Sequence, residues 1–241
     1  MLFNNLKYNW IWLISCQIQA YPAINSFGDS HAYFNFTNDN LGGEHTERSY
    51  FNSQYGAVLC RVNGFSGKTM YAFCRDGLNF LKLENCGVRE NDVVIFAFGE
   101  MDVRIHICKQ WKFHKRDLDE VIDDLLTRYE QNIKLQLSRF QNLICGVMSI
   151  TPQTDQFSTA SEAGTLIERI MVWHRVNQKL QEICRRNNYF FLDTRDLFAD
   201  QFGVLISAKS DGNMHVHPKY NYLIKHRLIN QLVEAGLIDL Q

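Results

Sequence analysis

The sequence predicts an α/β protein, with one central parallel sheet and helices on both faces. Three observations predict it. Short apolar runs alternate with longer stretches of helical periodicity. The run Asp92–Gly99, DVVIFAFG, is apolar at both alternating sets of positions, as a strand buried on both faces requires. The composition is that of a protein with a core: 46% hydrophobic and 21% charged in 241 residues, with only three prolines and no linker-like tract. The whole chain, 1–241, reads as a single domain, with residues 1–22 as an N-terminal extension.

The elements follow in order. Ala23–Phe27 (AINSF) is the first expected strand, ending at an abrupt Gly28-Asp29-Ser30-His31 turn. Ala57–Val62 (AVLCRV) is the second and Asp92–Gly99 the third. The stretch His106–Arg116 is polar and basic and is expected to be a solvated flap. From Asp117, apolar residues at Leu118, Val121, Ile122, Leu125, Leu126, Tyr129, Ile133 and Leu137 predict a helix. Leu143–Thr151 is the fourth strand. The stripe Leu166, Ile167, Ile170, Val176, Leu180 and Ile183 predicts a helix within Ser161–Arg186. Tyr189–Thr194 is the fifth strand, and a last helix starts at Pro218, a residue suited to a first helical turn, and runs to Gly236. The sheet therefore has about five strands.

The bulk numbers exclude some functions. A net charge of −1 does not point to a nucleic-acid or membrane-surface partner. No apolar run reaches the roughly 18 residues of a membrane span. The segment NWIWLISC ends in Leu13-Ile14-Ser15-Cys16, similar to a bacterial lipoprotein cleavage box, but only Lys7 is basic before it. It is read as a structural segment of a cytoplasmic protein, the alternative being a lipoprotein-like or secreted chain. Seven scattered cysteines without a CxxC pair read as buried, reduced thiols rather than disulfides or a metal site.

In an open α/β sheet, sites form at the carboxyl ends of the strands. Four suggestive blocks fall there: Gly28–His31, Asn63–Thr69 (NGFSGKT), Gly99–Arg104 (GEMDVR), and Asp211–Pro218 (DGNMHVHP). Together they offer a serine, a glycine loop and a late Asp…His pair, the parts of a serine hydrolase. These blocks, in this order from about Ile24 to Tyr220, resemble the SGNH/GDSL hydrolase superfamily, and GDSH with FGEMDVR resembles a bacterial subgroup with FGEIDCR-like third blocks. The resemblance implies a flavodoxin-like α/β/α sandwich and an esterase, lipase or carbohydrate O-acetylesterase activity. It implies Ser30 as nucleophile, the Ser30 and Gly67 N–H groups as oxyanion donors, His215 as base and Asp211 as its orienting carboxylate. No cofactor and no metal are implied.

Two departures stand out. The third-block asparagine that would donate to the oxyanion is Met101, which has no donor. Arg104 is the cationic candidate for holding the oxyanion or a substrate carboxylate; its other reading is an ion pair with Glu100 or Asp102. Asp102 and Trp111 border the same loop and complete the expected substrate contacts. Three residues, not the family's two, separate Asp211 from His215. His217 is the alternative base, and Asn213 the alternative partner of His215. His31 is read as a packing or locally hydrogen-bonded residue and Asp29 as a turn former. The loop Gly64–Thr69 lacks phosphate-loop spacing, which weakens a nucleotide or flavin binder. The expected function is a serine esterase or acyl-transfer enzyme acting on small acyl esters such as carbohydrate O-acetyl groups. The alternative is a weakly catalytic or non-catalytic protein of the same fold that binds a carbohydrate or a protein partner.

Overall fold

Alternation along one strand sets the layering. In β4 (Val93–Ala97), Val93, Ile95 and Ala97 enter one hydrophobic cluster and Val94 and Phe96 enter the other. A strand clad on both faces has no polar side, which is why the sequence there is apolar throughout. The computed structural model describes residues 22–35, 44–65, 67–155 and 164–239. The cleavage-box segment with Cys16 lies outside the described residues.

The sheet has six strands: β1 (Ile24–Gly28), β2 (Glu44–Ser53), β3 (Gly56–Phe65), β4, β5 (Ile144–Met148) and β6 (Phe190–Leu192). Their order is β2-β3-β1-β4-β5-β6. All pairs are parallel except β2 with β3. The five expected strands are present: β4, β5 and β6 are shorter than expected, β1 is shifted by one residue, and β3 is longer at both ends. β2 is the addition: its sequence EHTERSYFNS is too polar to read as a buried strand, and it lies at the edge, where polar and charged side chains are tolerated. It joins β3 through the two-residue turn Gln54-Tyr55, with Gly56 at φ 120° and Ser53 Oγ donating to the Gly56 carbonyl.

On one face, α1 (Met70–Asp76), α2 (Leu118–Leu137) and α3 (Leu166–Asn187) pack Phe73, Leu125, Ile133, Val176 and Leu180 against Phe27 and Phe96. On the other, α4 (Arg195–Phe198) and α5 (Asn221–Glu234) pack Phe198, Leu228 and Leu232 against Ile24, Ile95 and Met148. Both α2 and α3 start where a side chain can take their free amides. Asp117 accepts from Glu120 N–H, and Thr165 and Glu168 form a reciprocal capping box, which places the start of α3 after Ser161. A short helical turn, Pro218–Tyr220, precedes α5.

The stretch after β4 is not a solvated flap. Asp102–His106 and Lys109–Phe113 form π-helical turns, and Val103, Ile107 and Cys108 are buried along them. The charged residues of that stretch hid an apolar face only one turn wide. Cys60, Cys74, Cys108, Cys145 and Cys184 are buried free thiols and Cys86 is half-buried. Burial pushes Cys74 and Cys184 up to about 12, so these thiols are inert. Among the described residues, no helix is long and apolar enough to cross a membrane.

The register brings the strand ends level. Gly28 pairs with Gly64 on β3 and with Ala97 on β4. A Cβ at Gly28 would sit 2.0 Å from the Ala97 carbonyl oxygen, a main-chain atom that cannot swing away. Gly28→Ala is therefore expected to lose about 2 kcal/mol or more of stability, read as a lowered thermal or denaturant midpoint.

Candidate active site

The turn after β1 is built by its own polar groups. Asp29 N–H donates to the Ala97 carbonyl at 3.3 Å. The Asp29 carboxylate takes the His31 N–H at 2.9 Å on Oδ1 and the Gly99 N–H at 3.2 Å on Oδ2. Ser26 Oγ donates to the Ala32 carbonyl at 3.0 Å and draws the turn back over β1. Ser30 opens a helical turn, Ser30–Asn35, with its side chain at the sheet's carboxyl edge. The first amide of such a turn has no acceptor within it.

The second half of the site comes from the loop before α5. An antiparallel bridge between Ser210 and Val216 closes it, with Asp211 N–H donating to the His215 carbonyl at 3.1 Å. Gly212 turns at φ 90°, where L side chains are strained. Asp211 Oδ1 takes the Asn213 N–H at 2.8 Å, and Oδ2 lies 3.1 Å from His215 Nδ1. His215 Nε2 lies 2.9 Å from Ser30 Oγ. The extra residue between Asp211 and His215 is thus absorbed by a closed turn that sets the two side chains together. A carboxylate only accepts, so Nδ1 carries the proton and Nε2 presents its lone pair to the serine hydroxyl. Burial, then the charge of His31, lower the His215 pKa against the pull of Asp211 and Glu100. His215 is neutral at physiological pH, the form a base needs.

Other expected site residues fall elsewhere. His217 Nδ1 accepts the Lys219 N–H at 3.2 Å, and the ring lies edge-on to Tyr220. Asn213 N–H serves Asp211 rather than its side chain serving His215. Arg104 is buried and pairs with Glu100 through Nε at 2.8 Å and Nη2 at 3.3 Å; Nη2 also lies 3.3 Å from Met214 Sδ. The ion pair with Glu100 is present, and it braces the residue next to His215. Asp102 is engaged by the main chain. Its buried carboxylate takes the Met70 and Tyr71 N–H groups at 2.7 and 3.2 Å, capping α1, and burial raises its pKa to about 7 against those two bonds. Trp111 is half-buried against the core. Gly67 is exposed at φ 72°, and a Cβ there would meet no atom within 4 Å, so its backbone angle and not close packing asks for glycine.

A cavity of about 30 Å³ opens beside Ser30 and His215, walled by Met148, Thr151, Thr194, Phe198 and Ile224. That is room for about two waters. Thr151 and Thr194 follow the ends of β5 and β6, and that position was the only sequence signal for them. Among the described residues no group of metal-ligating side chains gathers.

No family profile and no curated protein sequence matches the chain. Solved structures do. A GDSL-like lipase from Bacteroides thetaiotaomicron superposes with a TM-score of 0.54 at 14% identity, over 95% of this chain and 98% of that one. A carbohydrate acetylesterase from Sinorhizobium meliloti gives 0.51 at 10% identity, over 89% and 99%. A lipase/acylhydrolase from Enterococcus faecalis gives 0.50 at 14%, over 91% and 98%. At these identities the likeness is one of fold, and the fold is the one the SGNH/GDSL resemblance implied.

Asp102→Ala leaves two α1 amides without acceptors, so it is expected to cost about 1–3 kcal/mol in chemical denaturation. With both carboxylate oxygens used on α1 amides, its loss is expected to leave KM for an acyl ester unchanged. A raised KM with unchanged stability contradicts this placement.

Proposed function

We propose that this chain is a serine ester hydrolase of SGNH type acting on small acyl esters, with carbohydrate O-acetyl groups as the substrate class. One observation carries the reading: Ser30 Oγ, His215 and Asp211 lie in a line of contacts at 2.9 and 3.1 Å. Ser30 Oγ attacks the acyl carbonyl as His215 Nε2 takes its proton. Asp211 holds the imidazole and stabilises the cation that forms. The carbonyl oxygen becomes an oxyanion, met by the Ser30 N–H and the Gly67 N–H. His215 then returns the proton to the leaving alcohol, and water attacks the acyl-serine by the same route in reverse. The narrow cavity beside Ser30 suits a short acyl chain, since each extra methylene needs its own space.

Met101 supplies no side-chain donor, and loss of one such donor costs about 10²–10³ in rate. That observation keeps a second reading in play, a weakly catalytic protein of this fold that binds a carbohydrate or a partner. Labelling by a fluorophosphonate probe separates them: an esterase is labelled on Ser30, a binding protein is not.

Ser30→Ala and His215→Ala are each expected to lower p-nitrophenyl acetate turnover by at least about 10³-fold with unchanged melting. His217→Ala is expected to retain it. Full turnover in Ser30→Ala, or loss in His217→Ala alone, refutes the assignment.

The pH profile follows from His215. It must be neutral to accept the serine proton, and its pKa lies below the ordinary histidine value of about 6.5. Activity is therefore expected to persist below that pH and to fall only as His215 takes up its proton. A kcat/KM profile measures this limb in the free enzyme.

A further inference from the structure

The turn that holds Ser30 contains a second acid–imidazole pair, which the proposed mechanism does not use. His31 Nδ1 lies 3.0 Å from Asp29 Oδ1, the oxygen that also takes the His31 N–H. The His31 side chain is only 7% exposed. Its Nε2 is buried with no partner in hydrogen-bond geometry, and the Met214 main chain is close enough to act on the ring. The His31 and His215 rings lie against each other, with centroids 5.1 Å apart and planes tilted by 38°. Both rings wall the cavity at Ser30.

We propose that His31 is a positioning residue for the base. Tied to Asp29 and packed against the His215 ring, its imidazole is the wall that keeps His215 Nε2 on the Ser30 hydroxyl, and its protonation acts directly on that ring. This rests on the reading of Ser30, His215 and Asp211 as the catalytic set. The charged groups facing the two rings are Asp29 from the β1 turn, Glu100 from the segment after β4, and Asp211 from the C-terminal loop. Arg104 is paired with Glu100. Burial opposes charge on His31, but Asp29, Glu100 and the Met214 carbonyl outweigh it, so its pKa is raised. Burial and the His31 charge both lower that of His215. Like charges repel, so the first proton taken up by the two rings goes to His31. At pH values where His31 holds its proton, His215 carries the Ser30 proton beside a cation. The same repulsion makes it a stronger acid toward the leaving alcohol.

The test titrates the imidazoles by long-range ¹H–¹⁵N spectra in the whole protein, with kcat/KM profiles alongside. Wild type is expected to show His31 losing its proton at higher pH than His215. In His31→Gln and His31→Phe, the His215 midpoint and the acid limb of kcat/KM are expected to move up in pH. His31→Phe, which keeps a ring, should lose less kcat than His31→Gln. His31 titrating below His215 in wild type, which needs no variant to fold, overturns the proposal; so does an unmoved His215 midpoint in both variants. A wild type without esterase activity overturns the esterase reading and not the coupling, which the titration reads by itself.

Discussion

The Asp29 carboxylate is the constraint on which the site depends. It takes the His31 N–H, the His31 ring and the Gly99 N–H, which come from two separate strand ends. A buried carboxylate with three donors is satisfied only in one arrangement, so the turns after β1 and β4 are locked to each other. Gly28 lets this happen, because β1 approaches the Ala97 carbonyl with no room for a side chain. Ser30 is then held at the sheet edge by a turn bonded to both β1 and β4 ends.

The C-terminal loop meets this turn from the far end of the chain. Ser30 and His215 are 185 residues apart, and no local preference brings them together. What does is the sheet order, which sets β1 at the centre and leaves α5 to pack beneath the loop. Within the loop, Asp211 acts twice, with one oxygen closing the turn and the other orienting the imidazole. The Glu100–Arg104 pair reaches Met214, the residue before His215. A buried ion pair adds little net stability, but it permits few geometries, and here that rigidity falls beside His215. At the opposite end of the sheet, Asp92 gathers Ala23 N–H, Arg89 N–H, Asn25 and Arg61 in the same manner, so the central strands are pinned at both ends.

Local pattern determined much of this protein. The five apolar strands, the helix behind Asp117 and the αβ alternation were legible because burial on one or two faces imposes its own period on a sequence. Ser30, Asp211 and His215 were legible as candidates because they fall after strands or before the last helix, where a sheet of this kind collects side chains. Only the tertiary structure decided the rest. β2 was invisible because an edge strand needs no apolar run. Which of His215 and His217 meets Ser30 was decided by a loop closure that no spacing rule states, and the contacts of Arg104 and Asp102 by which groups lay nearest in space. The companion pair Asp29–His31 looked like turn chemistry until His215 was packed against it. In each case the deciding contact joins residues that no local pattern pairs. Propensity and periodicity report on neighbours along the chain; the partner of a buried charge is set by the packing of the whole sheet.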